Sequence, residues 1–579
     1  MRPVYLHGRA LISALGANLP QALACISAGG RAAQRIELAG GTDWPYFRID
    51  HPEPNWRKRA QQLVCAAAKE AGLEAEPNVP LFVASSSLDI GAMETGEPRL
   101  EDSYGFAKQI AGWLNWTGPV YLVSSACTSS LQALLSASKL ISSGSVNDAV
   151  VLGVELVNRF SVSGFAAMQL LTPSKPKPLG LNRDGITLGE AVSVLHLSSQ
   201  PARWHLCGGS HIVNGRDPTG AIPQTVTQMC EQALAASGLK SSDIDLIKLQ
   251  AAGSPVNDVN ELTGLAAAFE LLPPLVTLKA VIGHTLGASG TAEIALLTAC
   301  LEANIWPHPD YPLEPDLRAG LTRSKLESVR YVLADILGFG GGHTAVILED
   351  TNARLNGKTG FVGPQEMSSL TWQITGRTSA GFFPDNGPPD NWRNQLATHL
   401  GHRPRRIGIL AELALFGALD CLDAAKETAL PRDVVLRVCS LRGSISAISE
   451  VLEQNREYLP MPFSFLQSQT SQILPALAAA LNWQGDAGVV LARNQMDLAM
   501  LACHQAGSAG MLLGWVEEEK PGRSVWLRLV PCSSPSVGFT SATSFEEMVA
   551  PNTHYWRLRQ GGLEIAPAQQ VQMTNDADA

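Results

Sequence analysis

The stretch Val123 to Leu135, "VSSACTSSLQALL", decides the reading of this chain. The apolar run that leads into it, "VYLV", has the character of a strand, and "TSSLQALLSASKL" that of a helix. Cys127 stands at the junction, followed by Thr128, Ser129 and Ser130, residue types that cap a first helical turn. A thiol there faces the positive end of the helix dipole, which favours the thiolate. Its small neighbours permit a sharp strand-to-helix turn that exposes the side chain. On this local pattern alone, a nucleophile and a buried structural cysteine both remain open.

Working outward, the same alternation continues. "VYLHG", "PLFVASSS", "DAVVLGVE", "AVSVLHL", "LIKLQAAG" and "TAVILED" read as strands. "QQLVCAAAKEAGL", "TVTQMCEQALAASGL" and "GTAEIALLTACLEANI" read as helices. Continuous apolar strands alternating with helices predict an α/β protein whose sheets are covered on both faces.

The bulk properties narrow the function. The 579 residues exceed one hydrophobic core and suggest about three to four domain-sized units. A net charge of −10 without a Lys/Arg cluster argues against nucleic acid or an anionic membrane as the main partner. The ten cysteines are scattered and form no CxxC pair. That argues against a zinc site or a disulfide framework and for reduced thiols in a cytoplasmic protein. "LISALGANLPQALACISAGG" has the small-residue composition of a signal peptide. His7, Gly8 and Arg9 interrupt the run and Pro20 breaks it, so export is not expected. No uncharged segment reaches the ~18 apolar residues of a membrane span.

Five stretches together resemble a β-ketoacyl-acyl carrier protein synthase, a ketosynthase of the thiolase superfamily. "VSSACTSSLQAL" matches its nucleophile motif, and "KPLGLNRDGITLGEAVSVLHL" matches its Arg-Asp-Gly…Gly-Glu segment. "AAGSPVNDVNE" stands at its first histidine motif. "LKAVIGHTLGASG" matches the lysine and second-histidine motif, and "ILGFGGGHTAVILED" its Gly-Phe-Gly-Gly segment. All five occur in family order and spacing. The resemblance implies a layered αβαβα thiolase-like fold over residues 1–350. It implies that Cys127 accepts an acyl group as a thioester from a phosphopantetheine arm. The backbone N–H groups of Cys127 and Phe339 would form the oxyanion hole, with Gly338, Gly340 and Gly341 allowing close approach. His284 would bind the extender thioester carbonyl and stabilise the enolate formed on decarboxylation. Lys279 would pair with Glu261. No metal and no bound cofactor are implied; phosphopantetheine would arrive on an acyl carrier protein, the implied partner.

One position departs from the family. Where the first motif carries a histidine, this chain has Ala252 and a short following loop, "GSPVND". An alanine removes a donor from a water-excluded site, a loss that typically costs several kcal/mol of transition-state stabilisation. Gln250 is a candidate amide replacement. The resemblance therefore implies either decarboxylative condensation of a malonyl extender or a non-elongating acyl-transfer protein. A chain-length-setting scaffold without turnover is a third reading.

Residues 351–366 read as a linker and "SAGFFPDNGPPDNWR" as a long surface loop. Beyond them the chain echoes its own beginning. "WQITGRTSAGFF" follows the pattern of "VYLHGRALISALG", and "AGSAGMLLGWVEE" that of "SGSVNDAVVLGVE". Residues 367–570 thus resemble a truncated ketosynthase half with Arg493 or Asn494 near the nucleophile position and Cys503 as core packing on the next helix. This second, incomplete thiolase-like half resembles a chain-length factor, and the small proteins of this kind resemble those of bacterial aryl polyene type II polyketide systems. Such halves pair, which implies an internal pseudo-dimer. A polyketide and a fatty acid setting both fit. Residues 571–579 read as a disordered polar tail.

Overall fold

The protein is described from a computed structural model. It covers the chain except residues 1, 39, 74–77, 318–320, 323–325, 327–328, 354–369, 379–386, 493, 521, 560–561 and 569–579. Most of the linker, the centre of the surface loop, Arg493 and the C-terminal tail therefore lie outside the described residues.

Two five-stranded sheets form the core of the first half, beside a small three-stranded sheet. The first contains β1 (Tyr5–Ser13), β2 (Leu81–Ala84), β3 (Val120–Val123), β4 (Asp148–Glu155) and β5 (Ala191–Ser198). Its order is β3-β2-β4-β5-β1, parallel across β3, β2 and β4 and antiparallel beyond. The second contains β6 (Trp204–Asn214), β7 (Leu246–Lys248), β8 (Leu275–Val276), β9 (Tyr331–Gly338) and β10 (Gly342–Asp350). Its order is β6-β10-β9-β7-β8. All four residues of β2 and of β3 are buried, as continuous apolar strands require when both sheet faces are covered.

Helices α1 (Ser129–Ser142), α2 (Arg159–Ala167), α3 (Asn257–Ala268) and α4 (Ser289–Ala303) belong to this half. α1 packs on strands of both sheets, and so does α4, which places the pair in the central layer. The sequence explains this position. α4 is buried without interruption from Ser289 to Cys300, its one charge in that stretch, Glu293, included, and a helix buried on every side has no solvent face to offer. This is the layered thiolase-like arrangement that the motifs imply.

The second half builds one further sheet. β11 (Leu370–Arg377), β12 (Val435–Cys439), β13 (Ala487–Ala492), β14 (Met511–Glu517) and β15 (Arg523–Pro531) run in the order β13-β12-β14-β15-β11. Order and strand sense repeat those of the first sheet. β16 (Tyr555–Arg559) and β17 (Gly562–Ala566) extend it beyond β11. Helices α5 (Ile409–Ala425), α6 (Pro462–Ser468) and α7 (Gln495–Gln505) belong to this half.

A buried carboxylate marks the duplication at atomic detail. Glu155, the last residue of β4, accepts from the main chain of Ser86 and Ser87 and from the hydroxyls of Ser85 and Ser87. Glu517, the last residue of β14, accepts from the main chain of Leu441 and Arg442 and from the Ser440 hydroxyl. Each satisfies the open N–H groups of the turn that follows the neighbouring strand.

The halves join edge to edge. β3 pairs antiparallel with β13, Val123 opposite Val490 and Tyr121 opposite Ala492. Each strand thereby covers the other's exposed ladder groups. Among the described residues no helix is long and apolar enough to cross a membrane.

Candidate active site

Cys127 sits in a tight turn between β3 and α1. Ala126 adopts φ +52°, a left-handed conformation uncommon for a residue with a Cβ. Thr128 Oγ1 donates to the Ser125 carbonyl at 2.8 Å, and Ser129 Oγ donates to Ala126 O at 2.5 Å while accepting from Ser125 N at 2.9 Å. These hydroxyls brace the turn. They do not cap the helix as the sequence reading expected, because the N-cap residue Thr128 makes no side-chain cap bond.

The thiol also points inward: Cys127 is 4 % exposed. Burial pushes it up to about 11, outweighing the Phe339 main chain and Lys279, both of which favour the thiolate. The thiolate expected from the helix dipole is therefore replaced by a protonated resting thiol. The reason is that desolvation of a buried anion exceeds the dipole's contribution.

His284 meets that thiol. Its Nε2 lies 3.1 Å from Cys127 Sγ, and its Nδ1 lies 3.1 Å from Ser289 Oγ. Burial and the nearby Lys279 and Lys248 hold the imidazole well below its ordinary range, so it rests neutral. Its main chain is clamped on both sides. His284 N donates to Thr187 O at 2.7 Å, and Gly189 N donates to His284 O at 3.0 Å. The "GITLGEA" segment thus holds the histidine in place. Leu286, in the turn entering α4, has φ +45° and mirrors Ala126 in the turn entering α1.

Behind the pair lies a buried charge network. Lys279 Nζ pairs with Glu293 Oε1, and Lys248 Nζ lies 2.6 Å from Glu293 Oε2. Lys279 therefore pairs with Glu293 and not with Glu261. Glu293 projects from α4 between the two lysines, whereas Glu261 is taken up elsewhere. Gln250 N donates to Glu261 Oε1 at 2.7 Å and to Asp335 Oδ1 at 2.9 Å. Burial raises both carboxyls, Asp335 to about 6 even though its hydrogen bond with Glu261 favours its charge, and Glu261 well above its ordinary value because the Asp335 charge adds to the burial.

A pocket of about 610 Å³, part of it open to solvent, collects these groups; its wall includes Cys127, His284, Gln250, Ala252, Phe165 and Phe339. Phe165 and Phe339 stack at 5.1 Å. A Cβ on Gly338 would sit 3.1 Å from that of Cys127, and one on Gly341 would meet Asn214 O at 2.1 Å, so the Gly-Phe-Gly-Gly chain fits only with glycine there. Ala252 offers this pocket no side-chain donor; its main-chain N–H donates to Asp258 Oδ1 at 3.2 Å. Gln250 is different. Its Oε1 is buried without a partner in the same pocket.

Across the turn, Ser124 and Ala126 line a second cavity of about 670 Å³, whose far wall includes Arg442, Thr470 and Ser471 of the second half. Phe465 of α6 packs on Phe160 and Phe165 of α2, each at 5.7 Å between ring centres. In the second half Asn494 caps α7, accepting from Met496 N at 2.7 Å, and Cys503 is buried at 1 % exposure.

The structure brings Cys127, His284, Lys279 and Phe339 to one place. Lys248 and Glu293 escaped the sequence reading. For Lys248 a signal exists, a lone lysine inside the apolar strand "LIKL", because a buried strand keeps a cation only if it is paired. Glu293 has no such signal, since only the packing of α4 brings it to the lysines.

Comparison with known proteins agrees with this geometry. Residues 81–202 match the β-ketoacyl synthase N-terminal domain and residues 208–309 the β-ketoacyl synthase C-terminal domain. A chloroplastic 3-oxoacyl-[acyl-carrier-protein] synthase II of Arabidopsis thaliana is 30% identical over 266 residues. That alignment takes in 40% of this chain and 48% of the relative, so the chain spans about half of that relative's length. The ketosynthase ApeO of Xenorhabdus doucetiae, solved in complex with its chain length factor ApeC, superposes with a TM-score of 0.53 at 23% identity. It covers 60% of this chain and 98% of that one. A PfaC keto synthase–chain length factor structure superposes with a TM-score of 0.71 at 13% identity over 94% of this chain and 81% of that one, a likeness of fold that takes in both halves. Residues 81–309 thus match both domains of the β-ketoacyl synthase family.

Proposed function

We propose that the protein is a β-ketoacyl-acyl carrier protein synthase in which Cys127 carries the growing acyl chain. One observation carries this reading: the buried Cys127 thiol lies 3.1 Å from a buried, neutral His284. A protonated thiol beside an unprotonated imidazole is an activated nucleophile with its base in place. On attack, Sγ forms a bond to the acyl carbonyl and the thiol proton passes to His284 Nε2. The C–S bond to the carrier's phosphopantetheine breaks, and that sulfur takes the proton. The main-chain N–H of Phe339, which already favours negative charge at this thiol, supports the oxyanion.

In the condensing half-reaction the malonyl carboxylate leaves as carbon dioxide and its bonding pair moves onto the thioester carbonyl. The resulting enolate carbon attacks the Cys127 thioester and releases the thiolate. His284 is one donor for the enolate oxygen. Gln250, two residues before Ala252, brings a side-chain NH2 to the pocket wall, and we take that group as the second donor. An acyl carrier protein delivers both substrates, and the cavity shared by the two halves gives the chain room in which the second half limits its length. The resemblance favours an aryl polyene setting over fatty acid synthesis.

The alternative is acyl transfer without elongation, and Ala252 is the observation that favours it. The test is incubation with acyl- and malonyl-carrier protein while the mass of the Cys127 peptide and the products is followed. Acylation with extension supports condensation. Acylation alone supports transfer, and no acylation leaves a scaffold.

A further inference from the structure

A side-chain cluster at the opposite end of the second sheet has no part in this chemistry. His205 and Cys207 lie on β6 and Glu349 on β10. Glu349 is directly opposite His205 in the ladder. Gly342, whose Cβ would touch Thr128 beside the nucleophile, is seven residues from Glu349 along one strand. At about 3.4 Å per residue the cluster is about 24 Å from the Cys127 turn. His205 Nδ1 is 3.2 Å from Glu349 Oε2 and 3.6 Å from Cys207 Sγ. One nitrogen, one sulfur and one oxygen thus lie within 4.8 Å of one another.

The two spacings from His205 Nδ1 match edges of a coordination tetrahedron. A zinc ion with bonds of about 2.0–2.1 Å to nitrogen and oxygen and about 2.3 Å to sulfur separates its ligand atoms by about 3.4 Å (N to O) and about 3.6 Å (N to S). The backbone is also shaped for this placement. Leu206 pairs with Leu348 and Gly208 with Ile347, so Cys207 is the extra residue of a bulge. A bulge re-aims the side chain it carries. The carboxylate is held as well. Its other oxygen, Oε1, accepts from Arg330 Nε at 3.1 Å and Nη2 at 2.9 Å and from Tyr331 OH at 3.4 Å, which leaves Oε2 turned to His205. Supports of this kind orient metal ligands. The Tyr5 ring, 5.1 Å from that of His205, covers one side. His205 and Cys207 are only half-buried, so an ion has a way in and a water can take the fourth position.

We propose that His205 Nδ1, Cys207 Sγ and Glu349 Oε2 form a three-ligand site for a zinc-class divalent cation, separate from the acyl site. Binding makes a metal–thiolate bond and releases the thiol proton to solvent. The imidazole carries its own proton on Nε2. The cysteine spacing alone gave no reason to expect a metal, because only one of the three ligands is a cysteine and one comes from another strand.

The test is titration of the full chain with Co²⁺, in a Cys127→Ala background so that the Cys127–His284 pair cannot contribute. The expected result is one equivalent bound, with a near-ultraviolet sulfur-to-cobalt charge-transfer band and the strong visible bands of a tetrahedral ion, all displaced by Zn²⁺. Cys207→Ser loses the charge-transfer band, and His205→Gln loses the strong visible bands. In both variants circular dichroism remains that of the parent, and the increase in melting temperature that Zn²⁺ gives the parent is absent. A folded parent that shows no charge-transfer band overturns the proposal, as does a band that survives in Cys207→Ser.

Discussion

Gln132 Nε2, one turn into the helix behind the nucleophile, donates to the main-chain oxygen of Ala487 at 2.9 Å, across the join between the two halves. The same side chain accepts from Ser125 Oγ at 2.6 Å, and Ser125 Oγ accepts from Val489 N at 3.1 Å. The turn that presents Cys127 is thus built partly on the second half. Gln132→Leu leaves Ala487 O and the Ser125 hydroxyl without these partners, a loss of about 1–3 kcal/mol. The expected outcome is a lower denaturation midpoint together with slower acylation of Cys127. Gly488→Val acts from the other side, since a Cβ there would lie 2.1 Å from Gln132 Nε2.

The resting thiol sets a pH dependence. Burial raises Cys127 to about 11, so at neutral pH it is protonated and the thiolate fraction rises about tenfold per pH unit until about 11. Alkylation of Cys127 by iodoacetamide, followed by peptide mass, is expected to accelerate along that line with no plateau below pH 10. A plateau near pH 8 would mean that the dipole dominates burial. His284→Ala removes the base and is expected to slow enzymatic acylation by about 10²–10⁴-fold.

The two glutamates near Lys279 are expected to differ. Glu293→Gln takes the carboxylate from between two buried lysines, and removing one partner of a buried pair costs about 3–5 kcal/mol. Burial and the Asp335 charge push Glu261 well above its ordinary value, which weakens its charge, so Glu261→Gln is expected to cost less than Glu293→Gln. Urea unfolding of both variants decides the matter. An equal loss from each would restore Glu261 as the lysine's partner.

Gln250 and Ala252 separate the two readings of the reaction. Gln250→Leu removes the side-chain NH2 proposed as the second donor and is expected to lower condensation by about 10²–10³-fold while acylation of Cys127 survives. Ala252→His is the companion. A large gain in malonyl decarboxylation would show that the alanine limits the parent, and no gain would show that Gln250 compensates.

Residues 1–350 expressed alone lose the partner of β3. Tyr121 to Val123 then present an apolar, unpaired edge, and His211, whose Nε2 lies 2.8 Å from Ala487 O, loses that contact. Sedimentation is expected to show self-association or aggregation, with Cys127 acylation lost. A soluble, active monomer would show that the second half is not needed for the site.

Much of this was legible from residues alone, for identifiable reasons. Strands buried on both faces, such as Leu81–Ala84, announce themselves as unbroken apolar runs, and Cys127 and His284 sit in turns whose small residues admit little else. The repeat of "VLGVE" as "LGWVE" proved to be the same carboxylate closing the same turn. The lysine's partner was not legible, because Glu293 comes from a helix whose approach depends on three layers packing together.

The order of apolar runs therefore determined the α/β class, since it depends on neighbours along the chain, while the layered fold and the roles of Cys127 and His284 were legible only through five motifs that together resemble one family. The tertiary structure alone decided charge and protonation. It buried Cys127 deeply enough to keep its proton, gave Lys279 to Glu293, and left the side-chain oxygen of Gln250, a residue of the pocket wall, buried without a partner. Desolvation and pairing depend on what packs against a group from every direction, and sequence order does not contain that information.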